Sequence, residues 1–409
     1  MDIIIGAGAS GLTYAAKTSN DYVILEGDSE VGGYCKTVRK EGFVWDYSGH
    51  FFHFQNKDLE QYLCENISAD EILKCTKRTQ IFYNNDYIDF PFQKNIHQLS
   101  KEELIECLYD LFINPYTNYS TFKEMLYSKF GKGISERFLI PYNQKLYACD
   151  LNSLDSEAKG RFFPYAEKEE IIANFKQSTN NSYNSFFTYP KSGAIQYINS
   201  LMKRIDPERL SLNEQVVSID LENKKLQTSK RFLKYSNIIS TIPFNRLLNI
   251  CHIPFDTSIY SWNKVLVFNL GFDKKGNDLE NNWVYFPGND VCFYRVGYYD
   301  NIFGDSRMSL YVELGFAQNA SVDMEASLLQ VLKDLKKVGI ITNQRLIASH
   351  SVIMDPAYVH INKASQQDVQ HKKAQLEKSN VYSIGRYGSW TYCSIEDGMK
   401  EAVALAEKL

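Results

Sequence analysis

Gly6, Gly8 and Gly11 follow directly on a short apolar run, Asp2-Ile3-Ile4-Ile5, and lead into a small-residue stretch through Ala15 and Ala16. A second apolar run, Tyr22-Val23-Ile24-Leu25, closes on Glu26, 15 residues after Gly11. Strand, glycine turn, helix, strand and acid, in that order, build a dinucleotide-binding βαβ unit. Gly6 permits the tight turn, Gly8 lets the backbone approach a pyrophosphate, and Gly11 allows the helix to pack closely on the strand. Ala9 and Ser10 open the helix, whose free N–H groups and partial positive charge favour phosphate. Glu26 can accept hydrogen bonds from the hydroxyls of an adenosine ribose.

FAD, rather than NAD, is indicated by two further segments. Gly32-Gly33-Tyr34 follows Glu26 within one short loop, and FAD enzymes of the amine-oxidase and glutathione-reductase type pass a second glycine pair close to the pyrophosphate in the same way. The C-terminal SIGRYGSWTYCSIEDGM resembles the terminal flavin segment of those enzymes. The resemblance implies flavin contacts from Gly385 and Arg386, and a helix N-terminus at Ser394 and Ile395 facing the isoalloxazine, where it would stabilise negative charge on a reduced flavin. Val217 stands where such proteins offer backbone contacts to adenine.

Five more segments, in matching order along most of the chain, resemble the UDP-galactopyranose mutases, above all the larger eukaryotic-type enzymes. GFVWDYSGHFFHF places His50 in a loop beside the flavin, and DFPFQKN places Phe90 and Gln93 near the base of a sugar nucleotide. LIPYNQKLYA supplies Asn143, Lys145 and Tyr147 toward substrate. CFYRVGYYDN places Arg295 on a diphosphate, and GRYGSWTY with DPAYVHI brings Tyr392 and Tyr358 to the same phosphates. DFPFQKN discriminates best, because the terminal segments are shared with many flavin oxidases. One departure stands out: the arginine that opens the family's R-P-Y-N segment is Ile140 here. Losing a bidentate phosphate partner is costly, and Arg137 or Lys145 would have to compensate.

The resemblance implies a flavin-dependent mutase that interconverts pyranose and furanose forms of a nucleotide-diphosphate hexose. Reduced FAD would act as covalent catalyst without net redox change, and His50, Arg295, Tyr358 and Tyr392 would serve the chemistry. The product would feed surface polysaccharide or lipopolysaccharide biosynthesis. Ile140 keeps two other readings open: an FAD-dependent oxidoreductase of the amine-oxidase or protoporphyrinogen-oxidase type, and a flavin-bound protein without catalysis.

These residues require elements to carry them. Helical spacing predicts helices over 100–112, 121–130 and 193–205, and a last one from about 395 to 409. Val216 to Ile219, Ile238 to Thr241 and Tyr382 to Gly385 read as short buried strands. Lys264 to Leu270 and the segments around Tyr294 and Tyr311 read as an antiparallel sheet. The polar stretch Gln177 to Ser185 reads as an exposed loop. The first and last segments are both α/β in character, so the expected fold class is α/β: a discontinuous FAD-binding Rossmann-type domain of the glutathione-reductase kind (1–60, 190–255 and 350–409) with an inserted α+β substrate domain (61–189 and 256–349).

The chain's 409 residues suffice for two such cores. A net charge of −4 gives no basic excess for nucleic acid. Eight cysteines without a C-x-x-C pair point to reduced thiols, with no metal site and no disulfide framework. A strand beginning at Asp2 leaves no room for a leader, and no run of eighteen apolar residues crosses a membrane. The expected setting is cytoplasmic, the expected partner a nucleotide-sugar substrate, and a homo-oligomer is compatible with both. With 28 Tyr and 25 Phe, the chain is rich in flat amphipathic rings for stacking and wet pockets.

Overall fold

The computed structural model describes residues 1–176 and 185–409. Apart from Ser185, the loop expected at 177–185 lies outside the described residues.

Asp2–Ile5 is the middle strand of a five-stranded sheet. It pairs in parallel with Tyr22–Leu25 on one side and Asn237–Ser240 on the other. Leu210–Ser211 and Val381–Ser383 form the edges, also parallel. Ile3, Ile4 and Ile5 are all buried, because a parallel sheet is covered on both faces and so needs an unbroken apolar run. The helix Ala9–Lys17 covers one face and packs against the C-terminal helix Ile395–Lys408. A three-stranded antiparallel ribbon, Val216–Asp220, Lys225–Thr228 and Phe232–Lys234, sits on this α/β unit.

The second large element is a seven-stranded sheet running 346–354, 263–272, 309–317, 295–298, 283–285, 79–83 and 86–89 in spatial order. Its pairings are antiparallel except where Trp283–Tyr285 meets Thr79–Tyr83. Along Asn263–Phe272 alternate residues enter different cores. Val265 and Val267 face the core shared with the nucleotide sheet. Leu266, Phe268 and Leu270 pack with Val331 and Leu335 of the helix Met324–Lys337. The strand Leu346–Met354 carries this sheet across position 350, so the domain boundary expected there falls inside a strand.

The expected helices form with small shifts. Lys101–Phe112 is capped by the Ser100 hydroxyl, and Phe122–Ile134 opens on a capping box between Thr121 and Glu124. The third is shorter than its apolar periodicity, spanning Ile195–Met202. Val216–Asp220 is not a fully buried strand. It alternates, and Val217 is 44% exposed.

Candidate active site

At the N-terminal turn the three glycines play three different physical parts. Gly6 has φ 103°, in the region that favours glycine. A Cβ on Gly11 would overlap the Gly6 carbonyl, whereas one on Gly8 would meet nothing within 4 Å. Gly8 is also the N-cap of Ala9–Lys17 and brings no side chain to the helix end. The turn therefore leaves open space in front of unsatisfied helix N–H groups, as a pyrophosphate requires. The second glycine pair closes over it. The Gly32 N–H donates to the Ala7 carbonyl at 2.9 Å, and a Cβ on Gly33 would stand 3.6 Å from the Gly8 Cα.

Glu26 is held by two backbone donors, Ala7 N–H at 2.7 Å and Asp28 N–H at 2.9 Å, one on each carboxylate oxygen. Each oxygen keeps a second lone pair, so a ribose hydroxyl can still be accepted. Val217 is the extra residue of a bulge, since the register passes from Val216↔Thr228 to Ser218↔Gln227. A bulged residue has backbone groups free of the ladder, which suits an adenine edge. These features fit FAD.

At the C-terminal segment, Ser10 meets Gly385 and Gly398: a Cβ on either would come within 2.8 Å of the Ser10 hydroxyl. The Gly385 N–H donates to Glu401. The helix start at Ser394 and Ile395 is less open than the sequence implied. The Ser394 hydroxyl caps the Asp397 N–H, and Glu396 and Asp397 place two carboxylates in the first turn. Arg161 grips Asp397 with bonds of 2.5 and 2.7 Å, while Glu396 accepts from the Gln55 and Asn56 N–H groups. These acids offset much of the positive end of the helix dipole. Tyr34 turns away from the glycine turn, its hydroxyl donating to the Pro356 carbonyl at 3.2 Å and accepting from Asp355 N–H at 2.9 Å.

A cluster of tyrosines gathers the candidate residues into what would be the wall of a substrate cleft. Tyr358 stacks on Tyr392 with ring centroids 5.8 Å apart, and Tyr147 meets Tyr358 edge-on at 5.9 Å. The Arg386 guanidinium lies over Tyr358 at 5.2 Å and Tyr392 at 4.8 Å. Such stacking orients a guanidinium without neutralising it. Tyr142 meets Tyr285 at 5.0 Å, and Tyr285 meets Phe90 at 5.3 Å. Burial pushes the Tyr142, Tyr147 and Tyr358 hydroxyls well above the usual phenol range, so they are neutral donors.

His50 lies beside this cleft. Its Nδ1 is buried without a partner. Burial, then the positive charge of Arg386, pushes its pKa down to about 4, with Glu313 opposing and Arg295 adding a smaller push. A neutral imidazole at neutral pH results.

Arg295 sits beside the cleft, but its charge is matched. Its Nε donates to Glu313 at 2.7 Å and its Nη2 to the other oxygen at 2.6 Å, and Ser48 donates to the same carboxylate. A diphosphate would therefore meet Arg295 as one member of an ion pair, through the N–H groups of Nη1 that Glu313 does not engage.

Three other candidates have protein partners, although the side-chain oxygens of Gln93 and Asn143 are buried without one. Lys145 donates to the Phe286, Gly288 and Val291 carbonyls at 3.0, 2.7 and 3.0 Å. Gln93 is fully buried and donates to the Pro164 carbonyl. Asn143 is buried, with its amide on the Leu139 carbonyl at 2.6 Å. Nor can Arg137 stand in for the arginine missing at Ile140, because Glu103 and Glu106 hold it on another face. Ile140 itself is 7% exposed in the core.

The structure adds residues that no motif pointed to. Glu313 faces Arg295 across a strand pair. Lys159, just before the short 3-10 turn Gly160–Phe162, places its ammonium 5.6 Å from the ring centroids of both Tyr142 and Tyr147.

Residues 9–409 match the family described as flavin containing amine oxidoreductase. Among solved structures, the fold is similar to a reduced UDP-galactopyranose mutase, with a TM-score of 0.91 and 21% identity over 99% of this chain and 93% of that one. It is also similar to a putative protoporphyrinogen oxidase from Exiguobacterium sp. 255-15, with a TM-score of 0.79 and 15% identity over 100% and 98% of the two chains. A cyclohexylamine oxidase from Brevibacterium oxydans IH-35A gives 0.68 and 15%, over 100% and 98%. At these identities the likeness is one of fold, and one fold hosts many chemistries.

Proposed function

The chain belongs to the flavin containing amine oxidoreductases, and we propose that within this family it is a flavin-dependent mutase, interconverting pyranose and furanose forms of a nucleotide-diphosphate hexose. The observation that carries this reading is the charge of the cleft. Among the described residues, Arg295, Arg386 and, when protonated, Lys159 bring positive charge to its tyrosine walls, against the carboxylate of Glu313. A protonated amine entering such a cleft would be repelled, whereas a diphosphate would be drawn in.

The glycine turn, Glu26 and the Gly385 segment would hold FAD, which when bound and reduced would supply the nucleophile. The chain's contribution is positioning. Tyr358 and Tyr392 offer hydroxyl groups to phosphate oxygens, and Arg386 adds charge at the ring faces. His50, kept neutral by burial, can hold a hydrogen bond without adding a further charge. Such an enzyme would serve surface polysaccharide synthesis from the cytoplasm.

The test is a panel of UDP-hexoses incubated with dithionite-reduced protein and read chromatographically for the isomer. Conversion should require reduction yet consume no reductant per turnover. Equal conversion by the oxidised protein would overturn the reduced-flavin mechanism, and one reductant oxidised per product would favour the oxidoreductase reading.

A further inference from the structure

Lys159 is a partly buried cation beside two tyrosine rings. Among the described residues no carboxylate lies within ion-pair distance of it, and it makes no hydrogen bond to protein. Burial, reinforced by the positive charge of Arg295, pushes its pKa down to about 7. Holding an ammonium in that state is unfavourable, and an apolar side chain of similar length would fill the space at lower cost. Arg295, by contrast, enters the cleft already neutralised by Glu313. Among the described residues, the Arg386 guanidinium donates to the Cys393 carbonyl, at 3.1 Å, and pairs with no carboxylate.

Lys159 and Arg386 flank one continuous tyrosine wall. Lys159 stands over Tyr147, Tyr147 meets Tyr358 edge-on, and Arg386 stands over Tyr358. Two unmatched cations along one wall call for a ligand with two negative charges.

We propose that Lys159, together with Arg386, receives the anionic group of the substrate, in the role that sequence resemblance gave to Arg295 and to the position occupied by Ile140. The identity of the anion as a nucleoside diphosphate rests on the sugar-nucleotide reading; the charge of the site does not. Lys159 is thus the specificity-determining cation of this chain, and the arginine at the head of the R-P-Y-N segment is dispensable because a lysine from a different loop supplies the charge.

The experiment is calorimetric titration of flavin-loaded protein with inorganic pyrophosphate, UDP and uridine, for the wild type and for Lys159→Gln, Lys159→Met and Lys159→Arg. Removing the ammonium should weaken pyrophosphate and UDP alike by at least about tenfold, and Lys159→Arg should keep most of the affinity. Uridine binding should be unaffected. Lys159→Met should also raise the melting temperature of ligand-free protein, since it removes an uncompensated buried charge. A melting temperature lowered by that change would mean that the ammonium has a structural task, and would overturn the assignment. Affinities of Lys159→Gln within twofold of wild type, for a wild type that binds UDP, would overturn it while leaving the sugar-nucleotide reading intact. Lys159-dependent binding of pyrophosphate without any added affinity for UDP would uphold the anion site and remove the sugar nucleotide. A wild type that binds neither pyrophosphate nor UDP would overturn both.

Discussion

Arg295 and Glu313 face each other in register across neighbouring antiparallel strands, and the guanidinium closes on both oxygens of a carboxylate that is only 1% exposed. A pair of this kind is a structural unit before it is a binding site. Removing one partner of a buried pair strands the other, at a cost of about 3–5 kcal/mol. Arg295→Ala should therefore lower unfolding stability by roughly 3 kcal/mol, and Glu313→Gln should be milder because the amide can still accept from Ser48 and Arg295. Urea denaturation of both single variants and of the double change Arg295→Met with Glu313→Leu checks this. The double variant should recover most of the loss; if it is as unstable as Arg295→Ala, the pair is not what holds the strands.

Gly8→Val and Gly11→Val should fail in different ways. Gly8 has an ordinary extended backbone, and a Cβ there meets nothing, so Gly8→Val should fold but purify without flavin. Gly11→Val drives its side chain into the Gly6 carbonyl and should yield little folded protein. Circular dichroism together with the flavin-to-protein absorbance ratio separates the two outcomes. Flavin retained by Gly8→Val would displace the pyrophosphate from this turn.

His50 should titrate at the acid edge of the range. Its pKa is about 4 in the folded protein because burial, then Arg386, disfavours the imidazolium. The unfolded chain, with an ordinary value near 6.5, takes up the proton first as pH falls. Stability linked to His50 is thus fully present above about pH 6.5 and is lost between there and pH 4. Compared with His50→Gln, the wild type should lose of order 2–3 kcal/mol over that window, since one pKa unit is about 1.4 kcal/mol. Comparison with the variant is needed because Asp46 and Asp300, both raised by burial to about 6, act in the opposite direction. An NMR titration placing the His50 ring near its ordinary value would refute the neutral-imidazole role.

Ile140→Arg should not restore a phosphate-binding arginine. The side chain at 140 is packed in the core at the start of the helix Ile140–Tyr147, and an arginine there must bury a charge or force the helix open. The expected result is a loss of several kcal/mol in stability and no gain in UDP affinity. Tighter UDP binding at undiminished stability would show that position 140 does reach the cleft.

The N-terminal half of the site was legible because its logic is local. Gly6, Gly8, Gly11 and Glu26 lie within one βαβ unit, where spacing alone dictates which residue turns, which packs and which approaches the ligand. The cleft was only partly legible, because its charges are settled by pairings between distant segments. CFYRVGYYDN announces an arginine, but only the Arg295↔Glu313 register shows that a carboxylate stands opposite it. LIPYNQKLYA announces Lys145, but a helix motif does not disclose that its ammonium will reach three carbonyls in the loop 286–291. Lys159 lies in no motif. Its significance arises from burial against Tyr142 and Tyr147, which no periodicity encodes.

The order of strands in the parallel sheet bears on how the molecule is made. Asp2–Ile5 is made long before one of its neighbours, Asn237–Ser240, and longer still before the edge strand beyond that, Val381–Ser383. At about 5–20 residues per second, the first strand waits for most of the time of synthesis before its sheet can close. During that interval an apolar strand with open edges needs shielding from other nascent chains. A flavin pocket built from Gly6, Gly8 and Gly385 could be completed only after residue 385 has been made, so the first glycine turn must stay competent for its ligand through some of that interval.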